Sequence, residues 1–291
     1  MRIAIDAMGG DHAPQAVLEG VKLVLPELPA DAELALYGDE SVLREGLGAL
    51  GVHDGRVRIV GTSEVIGCDE QPTLAFRRKK DSSMVRAVGA VAQKEADCVL
   101  SAGSTGALLT GGTLVIKRQK GVKRPALATV LPTRDGRVLL LDCGANTDCK
   151  SEYLVQFAIM GAAYMKNAMG IASPRVGLLN NGAEEEKGNE LTKQTYQLLK
   201  TAPVNFAGNC EARDVFGGAF DVVVCDGFDG NVVLKGAEGV IGLTVGLLKE
   251  GFMSSFKCKI GALLCKGALR GLKHKLDYTE YGGAPLLGVC G

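Results

Sequence analysis

Along the chain, short apolar runs rich in β-branched residues alternate with segments whose apolar positions recur at helical spacing. The runs are "RIAID", "ELALYG", "RVRIV", "DCVLSAG", "ALATVLP", "RVLLLD", "RVGLLN", "VNFAG" and "DVVVCDG". Helical patterns lie between most of them, which predicts an α/β protein with a largely parallel sheet. No repeat at fixed period, low-complexity linker or composition break interrupts residues 1–291, so one continuous α/β domain is expected. Two local departures stand out. "FRRKK" at 76–80 reads as a basic loop, and residues 249–275 hold seven Lys or Arg against one Glu.

Ligands of open parallel sheets bind beyond the carboxyl ends of the strands. Five strand ends are polar and glycine-rich: "DAMGGDHAP", "SAGSTGA", "DCGANTD", "NNGAEEEKGNE" and "CDGFDGN". A single such turn is ordinary loop chemistry, because Gly and Asx suit any tight turn. Five of them at strand ends mark a candidate ligand edge. In the second, Ser101 to Gly106 leads from a strand into a helix with small or hydroxylic first residues. The free N–H groups and positive end of such a helix accept phosphate, with Ser104 and Thr105 as further donors; a plain capped helix explains the same residues. The turn lacks the lysine of a P-loop and the spacing of a dinucleotide site.

"AGSTG" also approximates a nucleophile elbow around Ser104. Only His274 follows it, among Arg270, Lys273 and Lys275 with no carboxylate to orient it, which disfavours a hydrolase. His12, in "GGDHAP", sits beside the presumed ligand edge, either to bond an anion or to cap the helix after Pro14. Asn231 follows "DGFDG" at the start of a long helical run and reads as its N-cap, with a second role in polarising a carbonyl open to it. Lys187 stands behind Glu184 to Glu186, which are read as lying at a helix entrance and keeping the lysine protonated.

Lys plus Arg and Asp plus Glu are 33 each, so no global field favours nucleic acid, and electrostatic partners must be met by local patches. The absence of Trp and the scarcity of aromatics argue against a base-stacking surface. Nine cysteines without a C-x-x-C pair read as reduced, buried thiols of a cytosolic protein. The three histidines and the cysteines show no metal spacing, so no metal or cofactor is expected. The first residues read as a strand, and no apolar run reaches the roughly 18 residues of a membrane span. In 249–275, Met253, Phe256, Ile260, Leu263 and Leu264 recur at helical spacing beside Lys257, Lys259, Lys266 and Arg270. This basic amphipathic segment fits either a membrane-facing tip or a helical pair packed on the core or a second subunit, and the first is favoured.

Taken together, "IDAMGGDHAP", "FRRKKDSSM", "SAGSTGAL", "LLLDCGAN", "SPRVGLLNNGAEEEKGNELTKQT", "GNCEARD", "VVVCDGFDGNVVLK" and "YGGAPLLG" resemble the PlsX family of phosphate acyltransferases over essentially the whole chain. The resemblance implies transfer of a fatty acyl group from acyl carrier protein to inorganic phosphate, giving acyl-phosphate for phospholipid biosynthesis. It implies a three-layer α/β/α fold like that of the isocitrate and isopropylmalate dehydrogenases with a protruding helical hairpin, and a cytoplasmic homodimer in peripheral contact with the membrane. Lys187 and Asn231 match the family's catalytic positions. On this reading Ser101, Gly103, Ser104, Thr105 and Gly106 hold phosphate, and Asp6, His12, Asp142 and Asn146 shape the pocket. Arg77, Arg78, Lys79 and Lys80 dock the acidic carrier protein, while Ile260, Leu263 and Leu264 form the membrane tip. Family members continue past "YGGAPLLG" with a strand, a His-Gly-Ser-Ser type turn and a helix, so this chain is expected to lack that segment. Three alternatives are an acyl-CoA-dependent phosphotransacetylase, a dehydrogenase, for which no nucleotide signature is found, and a non-catalytic lipid-surface scaffold, which leaves the polar strand ends unexplained.

Overall fold

A computed structural model describes residues 1–276 and 283–291, apart from the side chains of Lys273, His274 and Leu276. Tyr281 and Gly282 of "YGGAPLLG" and the His274 side chain lie outside the described residues. The nine strands expected from apolar alternation are all present, with a tenth short strand near the end. Where one continuous domain was expected, the chain divides into two compact units, Met1–Pro125 with Gly288–Gly291, and Ala126–Leu287.

The first unit is built on β1 (Arg2–Asp6), β2 (Glu33–Gly38), β3 (Val57–Gly61) and β4 (Cys98–Ser101). They form an all-parallel sheet in the order β3-β2-β1-β4, in a register that sets Asp6 beside both Tyr37 and Ser101. Parallel strands need crossover connections, here α1 (Gln15–Val24), α2 (Glu40–Ala49), α3 (Pro72–Arg78) and α4 (Ser83–Ala92). Ile5, Leu34 and Leu36 pack with Leu18 and Val21 of α1 and with Leu43 and Leu47 of α2. Helix α4, which buries Met84, Ala87, Val88 and Val91, packs against β1, β2 and β4. Asp39 and Ser82 cap α2 and α4 by accepting from the Val42 and Val85 amides. After β4, α5 (Thr105–Gly111) runs into a π-helical turn, Gly112–Ile116.

The basic run at 76–80 is not a loop throughout. Pro72 opens α3, Ala75 and Phe76 are buried, and Arg77 and Arg78 form the helix's last turn. A seven-residue helix with one buried face leaves too little periodicity for its polar end to be read as helical.

The second unit contains β5 (Ala126–Pro132), β6 (Arg137–Leu141), α6 (Ser151–Asn167), β7 (Arg175–Asn180), α7 (Glu190–Leu199), β8 (Asn205–Glu211), a 3-10 turn (Ala212–Gly217) and β9 (Val222–Val224). There follow α8 (Gly227–Met253), α9 (Phe256–Leu264), α10 (Lys266–Leu276) and β10 (Leu286–Leu287). The sheet order is β10-β5-β6-β9-β7-β8, with β6, β9, β7 and β8 parallel and β5 antiparallel to both neighbours. Alternate residues serve opposite faces, as a two-residue period requires. Leu139, Leu141, Val222 and Val224 pack with Leu154, Phe157 and Met165 of α6 and Leu199 of α7. Val138, Leu140 and Val223 pack with Val215, Phe220 and the first turns of α8. Helical cover on both faces makes this unit a three-layer α/β/α sandwich.

Only the start of α8 joins that core. Gly227 and Gly230 are buried and Val233 and Leu234 pack against it, whereas Val240, Leu243, Leu247 and Leu248 are exposed. By length and composition α8 is long and apolar enough to cross a membrane, and no residue of its apolar window is buried. The sequence showed no span because Lys235 and Glu238 interrupt the apolar run, while hydropathy averaged over the helix does not register those breaks. Helix α9 buries no residue; Ile260, Leu263 and Leu264 are all exposed, Leu264 to 82%.

The cysteines are not uniformly buried. Cys143, Cys210 and Cys225 are, but Cys68, Cys265 and Cys290 are exposed. Burial pushes the Cys143 thiol up to about 11 and that of Cys210 to about 12, so both stay protonated and inert at neutral pH.

Arg56 fastens the end of α1 to the approach to β3. Its guanidinium donates to the Leu25 and Leu28 carbonyls at 2.9 and 3.1 Å and to both carboxylate oxygens of Asp54. Hydrogen bonds from the Arg56 side chain hold Asp54 at about 2, below the ordinary 3.8. A depressed acid adds stability that is complete above its unfolded pKa and is lost as pH falls through the folded one. Asp54→Asn should therefore lower the urea midpoint at about pH 5, and the gap to wild type should close towards about pH 2. An equal gap at both pH values would mean that the pair contributes no such linkage.

Candidate functional site

Two polar edges, one in each unit, contain the residues singled out from the sequence. In the first unit the edge is organised by Asp6, which is 1% exposed at the end of β1. Asp6 Oδ2 accepts from the Ser101 hydroxyl at 2.6 Å, and Ser101 Oγ in turn accepts from the Gly103 amide at 3.0 Å. Asp6 Oδ1 is buried without a hydrogen-bond partner. Two glycines make the fit possible. A Cβ on Gly103 would lie 3.2 Å from Gly9 Cα, and one on Gly9 would lie 3.0 Å from the Gly103 nitrogen, so the turns after β1 and β4 pack backbone against backbone.

Ser104 is buried and N-caps α5 by accepting from the Ala107 amide. The capped-helix reading of the turn is thus realised, but capping uses the Ser104 oxygen as acceptor and leaves its O–H as a donor. The Thr105 and Gly106 amides, in the first turn of α5, have no acceptor among the described residues. The turn therefore offers N–H and O–H donors to an anion. His12 is exposed; its carbonyl, not its ring, accepts from the Ala16 amide, and α1 has no side-chain cap.

In the second unit the corresponding group is Asp142, 0% exposed, after a cis Leu141–Asp142 peptide. Its carboxylate accepts from the Leu127 amide at 2.9 Å, the Ala145 amide at 3.1 Å, the Asn146 amide at 2.7 Å and the Asn146 side-chain amide at 2.8 Å. Burial still pushes the Asp142 carboxyl above the ordinary range, because desolvation outweighs those four donors. The start of α8 is seated on this loop. The Gly227 amide donates to the Asn146 carbonyl at 2.7 Å, and a Cβ on Gly230 would collide with the Asp142 carbonyl and lie 2.8 Å from Cys225 Sγ.

The cap of α8 is Asp226, which accepts from the Asp229 amide at 2.8 Å; Asn231 lies inside the helix and is exposed. The expected cap was displaced because two helix-tolerant glycines and an aspartate precede Asn231, and Asp226 is the first capping residue after β9. Asn231 is nonetheless presented from the first turns of α8.

Lys187 follows β7. Its loop is drawn back by the Asn180 side chain, which donates to the Lys187 carbonyl at 3.1 Å, and by Asn209 of β8, which donates to the Glu184 carbonyl at 2.7 Å. Its stem lies over Gly182, and its ammonium has no ion-pair partner among the described residues. The acidic run before it differs from expectation. Helix α7 begins at Glu190 with Asn189 as its cap, so Glu184 to Glu186 precede the helix. Glu185 pairs with Lys200 at 2.8 Å and accepts from Gln197, which holds its carboxyl below the ordinary range. Asn209 was missed from the sequence; the available signal was the second asparagine of the strand "NFAGNCE".

Of the basic run, Arg77, Arg78 and Lys80 are exposed, whereas Lys79 donates to Glu70 at 2.6 Å and to the Val65 carbonyl. Among the described residues no group of three or more His, Cys, Asp or Glu is placed to hold a metal.

The profile of a family described as "Fatty acid synthesis protein" matches residues 1–291. Over 290 residues the chain is 54% identical to a phosphate acyltransferase from Lysinibacillus sphaericus, covering 99% of this chain and 86% of that protein. It is 50% identical over 292 residues to a phosphate acyltransferase from Clostridium perfringens, covering 100% of this chain and 86% of that one. Among solved structures, a phosphotransacetylase from Streptococcus pyogenes superposes with a TM-score of 0.60 at 18% identity over 82% of each chain. The EutD phosphotransacetylase from Staphylococcus aureus does so with a TM-score of 0.60 at 15% identity, over 83% of this chain and 82% of that one. These two structures show a shared fold.

The glycine contacts of the second edge give opposite signs for two similar substitutions. In an open helical position Gly→Ala is favourable by up to about 1 kcal/mol, as expected for Gly236, which has nothing within 4 Å of a built Cβ. At Gly230 the collision with the Asp142 carbonyl should reverse the sign and cost about 1–3 kcal/mol. Urea unfolding of Gly236→Ala and Gly230→Ala checks this, and stabilisation by both would show that α8 does not press on the 142–146 loop.

Proposed function

The chain belongs to the phosphate acyltransferase family, and from that membership we propose that it moves a fatty acyl group from acyl carrier protein to inorganic phosphate, giving acyl-phosphate for phospholipid biosynthesis. The observation that carries the reading on this chain's own residues is Lys187, a cation fixed at a strand's carboxyl edge by backbone ties that leave its ammonium unpaired among the described residues.

Phosphate attacking a thioester needs little help with deprotonation, since much of it is dianionic at neutral pH. The difficulty lies in holding the anion against the acyl carbon and stabilising the oxyanion that forms. A phosphate oxygen bonds to the carbonyl carbon, the tetrahedral oxyanion collapses, and the carbon–sulfur bond breaks. The electron pair leaves on a pantetheine thiol whose ordinary pKa of about 8.5 lets it depart as thiolate. We assign phosphate binding to the 101–106 turn, with the Ser104 hydroxyl and the Thr105 and Gly106 amides as donors and with Ser101 and Gly103, tied to Asp6 and to each other, shaping the turn. Lys187 neutralises the phosphate or the oxyanion, and Asn231 donates to the thioester oxygen. Asp142 and Asn146 act by seating α8, which carries Asn231; His12 remains a pocket candidate through its place beside the first turn.

An acidic carrier protein calls for a basic face, which Arg77, Arg78 and Lys80 offer. Lys79 is less suited because Glu70 already neutralises it. The exposed apolar stretch of α8 suits a second copy of this chain, giving a homodimer. Ile260, Leu263 and Leu264, flanked by Lys257, Lys259 and Lys266, suit the headgroup region of an anionic membrane, making the protein a cytoplasmic one held peripherally.

The test is a mass balance. Incubated with acyl carrier thioester, the protein should release free carrier only when phosphate is present; release without phosphate, or none with it, defeats the reading. Replacing the carrier thioester by acyl-CoA separates the two donor classes. Lys187→Ala should lower turnover by about 100-fold or more if it contacts the oxyanion, and near-wild-type turnover would remove it from the mechanism. The double charge reversal Arg77→Glu with Arg78→Glu should raise the KM for the carrier substrate with kcat little changed; an unchanged KM would place docking elsewhere.

A further inference from the structure

The first unit contains a cavity of about 560 Å³ bounded by the edge strand β3, the end of β2, α4 and the residues after α3. Its volume falls within the range of about 300–1,000 Å³ typical of small-molecule sites. Of the residues assigned to acyl transfer and docking, only Lys80 lines it. Three cations face it: Arg58 from β3, Lys80 after α3 and Arg86 from α4, with Glu95 as the carboxylate in its lining. Arg86 also pairs with Asp81 at 2.6 Å, using one nitrogen of its fork.

A second observation points to a ligand. Tyr37, at the end of β2, lines this cavity with its ring buried, and its hydroxyl makes no hydrogen bond to a described residue and opens onto the cavity. Burial raises the Tyr37 phenol above its ordinary value although Arg58 and Arg86 pull it down, so at neutral pH it is an O–H donor within reach of both guanidinium charges. Phe76 and Val60 add apolar wall.

We propose that this cavity binds a small organic phosphate, a phosphate monoester on a compact apolar body. With Asp81 already paired to Arg86, the cations exceed the carboxylates by one charge, but Arg58, Lys80 and Arg86 together offer more N–H donors than the two oxygens of a carboxylate accept, which suits the three terminal oxygens of a phosphate monoester better. Guanidinium forks bind phosphate oxygens bidentately, and the Tyr37 hydroxyl supplies one further donor. The apolar walls take the body of the ligand, so inorganic phosphate alone fills only the charged end.

Phenyl phosphate is a suitable probe, titrated calorimetrically into the full chain. Saturable binding with a Kd below about 1 mM is expected, with inorganic phosphate and phenylacetate each at least about 10-fold weaker. Arg58 is exposed on an edge strand, so Arg58→Gln should fold normally and weaken phenyl phosphate at least about 10-fold. Tyr37→Phe keeps the buried ring and should weaken it several-fold, which retains the test if the arginine variant misfolds. No binding of phenyl phosphate to the wild type would overturn the proposal. So would equal binding by both variants, which would place the phosphate elsewhere, for instance on the 101–106 turn. Phenylacetate binding as tightly as phenyl phosphate would overturn the assignment of a phosphate group.

Discussion

A carboxylate with no access to water sits at the centre of the second unit. Asp142 is tolerated there because four N–H donors converge on it, and a buried charge without such partners is strongly destabilising. Meeting that demand fixes more than the aspartate. The loop 142–146 has to wrap round the carboxylate to bring its amides to it, and β5 is tied to the loop through the Leu127 amide. The same loop then presents the Asn146 carbonyl that anchors the first residue of α8, and only glycine fits where the helix crosses the Asp142 carbonyl. The direction of α8, and with it the placement of Asn231, follows from one buried charge.

The first unit reaches a similar result with a serine between carboxylate and amide. Asp6 holds Ser101, Ser101 holds the Gly103 amide, and the glycines at 9 and 103 let the two turns touch. In both units a buried acid fixes the course of the backbone at a strand end. This suits acyl transfer to phosphate, in which positioning and charge stabilisation dominate and no strong base is required. Lys187 is the exception, a cation presented without a partner among the described residues while its acidic neighbour Glu185 is neutralised by Lys200. Had Glu185 paired with Lys187 instead, the charge offered to an anion would be much reduced.

Most of the secondary structure was legible in the sequence because both sheets are covered on two faces. Their strands therefore read as continuous apolar runs, as "VLLL" and "VVV" do, and polar turns stand out sharply between them. The five polar strand ends were legible for the same reason. What stayed hidden depends on contacts distant in sequence. Glu185 lies 15 residues from the lysine that neutralises it, and Asn209 lies 25 residues from the carbonyl it binds. The boundary after Pro125 was overlooked although the run "KRQKGVKRP" before it, with five Lys or Arg, a Gly and a Pro, is linker-like. The cap of α8 was misplaced because "DGFDGN" contains three residues able to cap, and only packing on the 142–146 loop selects the first. The burial of the cysteines was overestimated by extending the apolar context of Cys143 and Cys225 to Cys68, Cys265 and Cys290, which lie on the surface.

The central claim is the proposed transfer of an acyl group to phosphate and not to water. Phosphorus NMR of the full chain with acyl carrier thioester and phosphate tests it most directly. The account predicts a new acyl-phosphate resonance growing in step with free thiol, one for one. Thiol released with no new phosphorus resonance would mean hydrolysis and would contradict it.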